Sequence, residues 1–581
     1  ESFNLHPASS SRQKLCKYIL VRRVVGEMMK NSDWRYIENG ILLPSENGYC
    51  DQPSIVVTSS GRWVAVITTG TGREGARGQY VSVQVSDDKG KSWRMIGELE
   101  DTTWESSYAT VAIAENGRIV VVYNYNLDQL DAAACRMRRV DMGGTLCYRY
   151  SDDEGETWSE RGIIQMRDFA IDRRYPSFAA DGRPFKQFWN VSKPFFVGKD
   201  FYCAMTKTFY GSFFAPDHPF HNVEEMVGAL LTCQGLAEHT DGVWQTLPDG
   251  VDGIAGPEEG GSVCEEYCFV RLSDGTIYSI ARTQDGHPSC AISRDGGHHF
   301  TPSFYPEYAH GGRVKTCRAA NFIWPLGEGK FLYWFHNIYR PGYGHRNPVW
   351  CIPLRECLGE DGMTLSFGNP ELLFYHRGEY LSISYPDLFK DNGAVYIAET
   401  QKQIARIHPI PKEFLATMFD EKRVAYPSDI PLWSTKRAGP IPFIPLSELD
   451  QEVRDDWRNC SKSGFTLMLT TKPMALPTTL LSAYDNMVGG LEVIVVTKEG
   501  YMQVRIGGIN AEVQLRGSIN LLDGKAHHLA CVLDAKAICA WLVVDGHMDD
   551  GGERLACGWR WVPEQMQMVG GCDNPVVSGF V

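Results

Sequence analysis

The sequence predicts an all-β chain: a six-bladed β-propeller over residues 34–411, then a smaller β-sandwich (jelly-roll) domain over 464–581. Three observations lead there. An octapeptide recurs along the first two-thirds of the chain. Short strands that open on small or polar residues recur beside it. After Pro411 both patterns stop and the texture changes.

The octapeptide has the form S-x-D-x-G-x-[S/T]-W. It stands at Ser86–Trp93 (SDDKGKSW) and Ser151–Trp158 (SDDEGETW), with a weaker copy at Ser293–Phe300 and a worn fourth at Glu360–Leu365. Its chemistry is that of a turn. Ser and Asp side chains bond turn amides, Gly adopts the conformation other residues resist, and the aromatic packs beneath. The repeat is therefore a hairpin staple and not a site of catalysis.

The strand openings are Asp51-Gln52-Pro53-Ser54, Ser107-Tyr108-Ala109-Thr110, Arg174-Tyr175-Pro176-Ser177, Glu266-Tyr267-Cys268, Arg318-Ala319-Ala320-Asn321 and Ser384-Tyr385-Pro386-Asp387. Most are followed by a Gly turn and a second apolar strand, such as Ile119-Val120-Val121-Val122-Tyr123. Six such units at a spacing of roughly 50–90 residues match a propeller with four-stranded blades. Residues 1–33 stay unassigned, since their pattern lets them pad either domain. Residues 412–463, proline-rich from Pro427 to Pro445, read as a linker. From Gly464 the strands alternate more simply, as in Phe465–Leu469 and Leu491–Val495.

The bulk numbers agree. A chain of 581 residues exceeds one compact core, so two or more domains are expected. The 57 Gly and 30 Pro suit many short strands joined by tight turns. A net charge of −14 excludes the basic face that nucleic acid requires, although a local arginine cluster can still hold an anion in one pocket. No apolar run reaches the roughly 20 residues of a membrane span. The chain opens on Glu1 with no signal-like segment, which suits a mature or trimmed form. The 17 cysteines show no zinc-site spacing. Most read as buried thiols, with room for a disulfide or two. Asn190-Val-Ser and Asn459-Cys-Ser are glycosylation sequons of a kind that chance also produces. His287, His298, His299, His336 and His345 have no metal-ligand spacing, and neither metal nor cofactor is implied.

The innermost strand of a propeller blade lines the central channel, so the strand openings are where a site belongs. They offer Asp51, Tyr108, Arg174, Glu265, Glu266, Arg318 and Tyr385, groups a packed interior does not choose singly. Here the chain resembles the bacterial sialidase (neuraminidase) superfamily, whose BNR or Asp-box repeat is the octapeptide above. The likeness runs from about Gly40 to Pro411. It is most specific through Cys264-Glu265-Glu266, Ala281-Arg282-Thr283, His345-Arg346-Asn347-Pro348, Ser384-Tyr385-Pro386-Asp387 and Ala398-Glu399. The resemblance implies that Tyr385 is the nucleophile and Glu266, or next Glu265, its proton acceptor. It implies Arg282 and Arg346 as clamps for a substrate carboxylate, and a supporting role for Glu399 toward an arginine.

The first blade departs from that pattern. Asp51 stands where the family carries an arginine, which leaves Arg174 or Arg318 to replace it. Asp51 is either a general acid or the ion-pair partner of Arg282 or Arg346. Glu74 is the one acid in the loop that would hold the family's acid–base residue. The activity implied is that of a retaining exo-glycoside hydrolase releasing a terminal sialic acid or related 2-keto-3-deoxy acid from a glycan. A neutral phenol avoids the repulsion between a carboxylate nucleophile and an anionic sugar, and guanidinium groups match a carboxylate in bidentate fashion. The alternatives are the same chemistry on a neutral or uronic sugar, or a non-catalytic glycan-binding propeller. The pair Ala526–Val532 and Trp541–Gly546 resembles the laminin-G or concanavalin sandwich, which implies a lectin-like domain. The expected setting is secreted or extracytoplasmic, periplasmic or cell-surface, with a glycan as partner. Oligomeric state is not encoded in any of these signals.

Overall fold

The computed structural model describes residues 33–420, apart from 46–47, 72–73, 241, 340–342, 344–345 and 377–380. It also describes 16–23, 433–435, 439–440, 465–485, 489–496, 499–508, 511–534, 536–562 and 576–577. Most of the 427–445 stretch, together with His345 and Asn459, lies outside these residues. The chain is nearly all β and divides into two compact units, one of residues Trp34–Asp420 and one of Glu1–Asp33 with Glu421–Val581.

Among the described residues the larger unit contains seven antiparallel sheets: six of three or more strands, in chain order, and the two-stranded pair Ser177–Phe178 with Pro184–Phe185. The first is made of Gly48–Val57, Trp63–Thr71, Gln79–Ser86 and Arg94–Glu98. The second runs Ser106–Ile113, Ile119–Tyr125, Thr145–Ser151, Gly162–Ile163, and the third is built around Asp200–Tyr210 and Glu224–Cys233. The fourth comprises Cys264–Arg271, Ile277–Thr283 and Ser289–Ser293, and the fifth begins with Phe322–Gly327 and Lys330–Phe335. In the sixth, Ser384–Asp391, Ala394–Thr400 and Ala405–Ile410 are completed by Ile41–Leu43 from the start of the unit, with Ile41 opposite Ile407.

Apolar residues on both faces of the strands join the sheets. In Ile119–Tyr125, Val120 and Val122 pack with Phe201 and Met205 of the third sheet, while Val121 and Tyr123 pack with Val64 and Val83 of the first. Burial on both sides explains why this strand reads as an unbroken apolar run. The first and sixth sheets share Trp63, Ile67, Phe389 and Ile407, and the third and fourth share Leu230, Phe269 and Ile277. The fourth and fifth meet through their first strands, and Phe374 of the fifth sits 4.5 Å from the His408 ring of the sixth. Each sheet thus packs on the next and the sixth on the first.

The octapeptides end the third strands of the first, second and fourth sheets with the same bonds. Ser86, Ser151 and Ser293 accept from Gly90, Gly155 and Gly297 N–H at 2.7, 2.9 and 2.8 Å. Asp88, Asp153 and Asp295 accept from the N–H of Ser92, Thr157 and His299 at 2.8, 2.9 and 3.0 Å. Two successive left-handed residues explain the glycines: φ is +61° and +79° at Lys89 and Gly90. The worn fourth copy makes none of these bonds. It is a tight hairpin in which Gly359 pairs with Gly362.

Three other expectations change. Arg174 opens no strand; it ends the helix Ala170–Arg174. Asn190 is buried, with its amide donating to Thr110 Oγ1 at 2.9 Å, so its sequon presents no free acceptor nitrogen. None of the fourteen cysteines whose side chains are described is in a disulfide, and all but Cys357 are buried.

In the smaller unit, Phe465–Thr471, His528–Asp534 and Cys539–Val544 lie in one sheet with Cys16–Arg23, while Thr478–Asp485, Gly489–Val496, Tyr501–Gly508 and Ala511–Arg516 lie in another. Leu467, Cys531 and Leu542 of the first share a core with Leu481, Val493, Val504 and Leu515 of the second. The His527-His528 motif is a staple: His527 lies between Asp545 (2.7 Å) and Asp523 (3.0 Å). No helix among the described residues is long and apolar enough to cross a membrane.

Candidate active site

Four first strands break their pairing at the same place. The register shifts between Asp51 and Ser54, Ser107 and Thr110, Glu265 and Cys268, and Ser384 and Asp387. At each bulge one non-glycine residue is left-handed: Gln52 (φ +52°), Tyr108 (+56°), Glu266 (+53°) and Tyr385 (+44°). Such a conformation costs about 1–3 kcal/mol per residue and persists where the surroundings impose it. Thr206 Oγ1 holds the Glu266 N–H at 2.9 Å, and Thr68 Oγ1 holds that of Tyr108 at 3.2 Å. The bulge re-aims the side chains that regular alternation would send into the sheet interfaces.

Tyr385 and Glu266 come together as expected. The phenol donates to Glu266 Oε1 at 2.8 Å, and both residues are buried. Arg282 Nη1 is 2.8 Å from the same carboxylate oxygen. Glu265 Oε1 binds Arg282 (Nη2 2.8 Å, Nε 3.0 Å) and Arg318 Nε (2.6 Å). Arg318 also reaches Glu224, at 3.4 Å. Arg346 donates from Nη1 to Ser384 Oγ at 2.5 Å and from Nη2 to the Arg318 carbonyl at 3.3 Å. No carboxylate among the described residues pairs with it. Arg318 Nη2 and Arg346 Nε are buried without a hydrogen-bond partner among the described residues.

A second cluster lies on the first-sheet side. Asp51 accepts from Tyr49 Oη at 2.8 Å and from Lys402 Nζ. Lys402 also lies 3.4 Å from Glu74, which accepts from Arg139 at 3.1 Å. Arg139 binds Asp141 through Nε at 2.6 Å and donates to Tyr108 Oη at 2.6 Å, and the Tyr108 hydroxyl donates to Asp141. The clusters meet at Tyr385, where Lys402 Nζ is 4.4 Å and Arg346 Cζ 5.8 Å from the ring centroid. An aromatic arc runs alongside. Tyr343, half-exposed, faces Arg318 at 4.6 Å and hydrogen-bonds Tyr210 at 2.6 Å, and Tyr210 packs on Phe213.

Adjacent carboxylates are driven apart in affinity for the proton. Burial, with the charge of Glu265, lifts Glu266 above the usual carboxylate range against the pull of Arg282 and Arg346. Glu265 is equally buried, yet Arg282 and Arg318 hold it low. On the first-sheet side, burial and the charge of Glu74 raise Asp51 against Lys402. Glu74 works against its own burial penalty and is held well below the ordinary range by Lys402 and Arg139. Burial and the charge of Glu266 place the Tyr385 phenol far above its ordinary value. His336, near Arg346, is pushed down to about 3 by burial and by that arginine's charge. Opposed shifts in neighbouring acids are the pattern of a proton-transfer site.

No protein-family model matches the chain, and no curated protein does. Solved structures similar to it include a protein of unknown function from Dyadobacter fermentans, at 14% identity and TM-score 0.46, covering 67% of this chain and 98% of that one. A Hadza microbial sialidase matches at 16% identity and TM-score 0.44, over 64% of this chain and 68% of its own. The intramolecular trans-sialidase of Ruminococcus gnavus, solved with oseltamivir carboxylate, matches at 12% identity and TM-score 0.44, over 66% and 99%. Identities this low leave any reading of the site to the chain's own residues.

Of the residues singled out in the sequence, Tyr385, Glu266, Glu265, Arg282, Arg318 and Arg346 form one cluster, and Asp51 and Glu74 the second. Arg174 joins neither: its side chain is 53% exposed and paired with Glu225. Asp51 pairs with Lys402 rather than with Arg282 or Arg346. Among the described residues Glu399 pairs with no site arginine; it is buried against His408 at 3.3 Å. Sequence reasoning missed Lys402, Arg139, Asp141 and the Tyr210–Tyr343 pair, none of which sits in a motif. The one available signal was Tyr108, whose place at a strand opening calls for polar partners. Among the described residues no group of His, Cys, Asp and Glu is arranged to hold a metal.

Proposed function

We propose that the chain is a retaining exo-glycosidase with a tyrosine nucleophile, acting on a terminal sialic acid or related acidic 2-keto-3-deoxy sugar of a glycan. The observation that carries this reading is the 2.8 Å bond from Tyr385 Oη to Glu266 Oε1 inside a guanidinium cluster. In the first step Tyr385 gives its proton to Glu266 and its oxygen attacks the anomeric carbon. The glycosidic C–O bond breaks, and the leaving oxygen takes a proton from Asp51, the more readily protonated of the two first-sheet acids. In the second step water attacks the same carbon, losing a proton to Asp51, while the tyrosine oxygen leaves and recovers its proton from Glu266. Arg346, Arg318 and Arg282 would hold the sugar carboxylate, supported by the free nitrogens on the first two.

Hydrolysis of a fluorogenic sialoside by the wild type and Tyr385→Phe tests this. A loss of about two orders of magnitude or more in kcat/KM is expected. A turning-over wild type matched by Tyr385→Phe would sink the reading.

A second reading is the same chemistry on a neutral or uronic sugar, and the charge balance supports its neutral form. Six carboxylates (Asp51, Glu74, Asp141, Glu224, Glu265, Glu266) face five cations (Arg139, Arg282, Arg318, Arg346, Lys402). The same proposal takes the ring of six sheets as a six-bladed Asp-box propeller and the smaller unit as a lectin-like sandwich. It sets the protein outside the cytoplasm, where terminal sugars are displayed.

A further inference from the structure

The steps above give Lys402 no part, yet the fold fixes it tightly. Its N–H donates to Thr400 Oγ1 at 2.9 Å, that hydroxyl donates to the Cys50 carbonyl at 2.7 Å, and Cys50 N–H donates to the Lys402 carbonyl at 3.0 Å. The residue is left-handed, with φ +70°. A lysine of the sixth sheet is thereby bound to the first sheet at the residue preceding Asp51. Its ammonium touches Asp51, stands 3.4 Å from Glu74 and lies 4.4 Å from the centre of the Tyr385 ring. The side chain is 26% exposed, so its ammonium is reached by solvent.

The charged groups facing Tyr385 are Glu266 and Arg282 from the fourth sheet, Arg346 ahead of the fifth sheet's strand Val349–Gly359, Glu74 from the first and Lys402 from the sixth. Arg282 is already held by two glutamates, and Arg346 lies farther from the ring. Lys402 is thus the cation nearest the face of the phenol. A cation over an aromatic face is attracted to the neutral ring, and far more strongly to the anion formed when the hydroxyl proton leaves.

We propose that Lys402 is a positioning residue of the Tyr385 reaction: anchored on Asp51 and Glu74, its ammonium stabilises the phenolate that forms as the proton passes to Glu266. This rests on Tyr385 being the nucleophile. It assigns Lys402 to the chemical step and not to substrate capture.

The test places 2,3,5-trifluorotyrosine, whose phenol ionises several pH units below that of tyrosine and so brings the raised midpoint down toward neutral pH, at position 385 and follows its 19F shift against pH in the otherwise wild-type chain, in Lys402→Met and in Lys402→Arg. Lys402→Met is expected to move the midpoint up by at least about one pH unit, a tenfold change in the ionisation constant. Lys402→Arg, which restores the charge, should move it by less than about half that. An unchanged midpoint in Lys402→Met overturns the proposal whether or not a substrate is in hand. With a turned-over substrate, Lys402→Met should lower kcat about tenfold or more with KM within about threefold, the split of a group acting in the transition state. A raised KM at unchanged kcat would make Lys402 a binding cation and overturn the proposal as well. If no sialoside or neutral glycoside is cleaved but the fluorine titration moves as stated, the catalytic reading fails and the Lys402–Tyr385 coupling stands.

Discussion

Glu265 and Glu266 are neighbours in one strand, both buried, and yet pushed in opposite directions: Arg282 and Arg318 hold the first low, while burial and the charge of Glu265 raise the second against Arg282, Arg346 and the Tyr385 hydrogen bond. A pH profile follows from this. Glu266 must be ionised to take the Tyr385 proton, so kcat/KM should rise with pH through its folded value, above the ordinary carboxylate range. Glu265→Gln removes the like charge that helps raise Glu266 and leaves Arg282 to it alone, so the acid limb should move to lower pH, by about one unit. A limb that stays in place, or moves upward, would show that Glu266 is not the titrating base. Asp51 and Glu74 separate by leaving group. In kcat/KM, which reports the step that breaks the glycosidic bond, Asp51→Asn should cost about 100-fold on an unactivated glycan but under about tenfold on an aryl glycoside that needs no proton. Glu74→Gln should affect both substrates alike. Tyr385, Glu266, Arg282, Arg318 and Arg346 could be singled out from sequence, because each lies in a short distinctive segment such as Cys264-Glu265-Glu266 or Ser384-Tyr385-Pro386. Lys402 could not: it follows Thr400-Gln401 in a turn, and only the pairing of the sixth sheet with the first brings it to Asp51.

The bulge accounts for both the success and the failure of reading by strand openings. Ser384-Tyr385-Pro386-Asp387 and Arg174-Tyr175-Pro176-Ser177 look alike, yet only the first is a bulged strand. The second begins as a helical turn, held from below by the buried Lys207, whose ammonium reaches Asp172 at 2.6 Å. A local pattern specifies a tyrosine before a proline, and long-range packing decides whether a strand forms there. The octapeptides were legible because their bonds close within five or six residues. Their role predicts a different mutant phenotype from that of the site. Ser151→Ala should cost about 1–2 kcal/mol by removing the acceptor for Gly155 N–H. Denaturant melts should show that loss, with kcat unaltered within about twofold. A large fall in kcat without a stability change would assign the turn a catalytic part.

At the scale of the molecule, every charged group in the two clusters comes from Trp34–Asp420. Excised, that unit is expected to keep kcat on a small soluble substrate within about threefold, since it contains its own core and every group that the proposed reaction uses. Loss of turnover in a cooperatively folded excised unit would place part of the site elsewhere in the chain. The alternation of strands and turns made the all-β class legible, because each apolar run is short and bounded. The closing pairing was not legible, since Ile41-Leu42-Leu43 is too short to announce a partner beyond residue 400.

That closing strand also sets a timetable. Ile41–Leu43 leaves the ribosome early and waits for Ala405–Ile410, so the ring cannot shut until nearly all of the larger unit has been synthesised. The sheet it completes is the one that carries Tyr385 and Lys402. Pairings between residues so far apart in sequence form slowly, and the open edges wait exposed meanwhile. A nascent chain therefore holds Glu266 and Arg282 without Tyr385 and Lys402, and the two clusters are completed only when the sixth sheet forms.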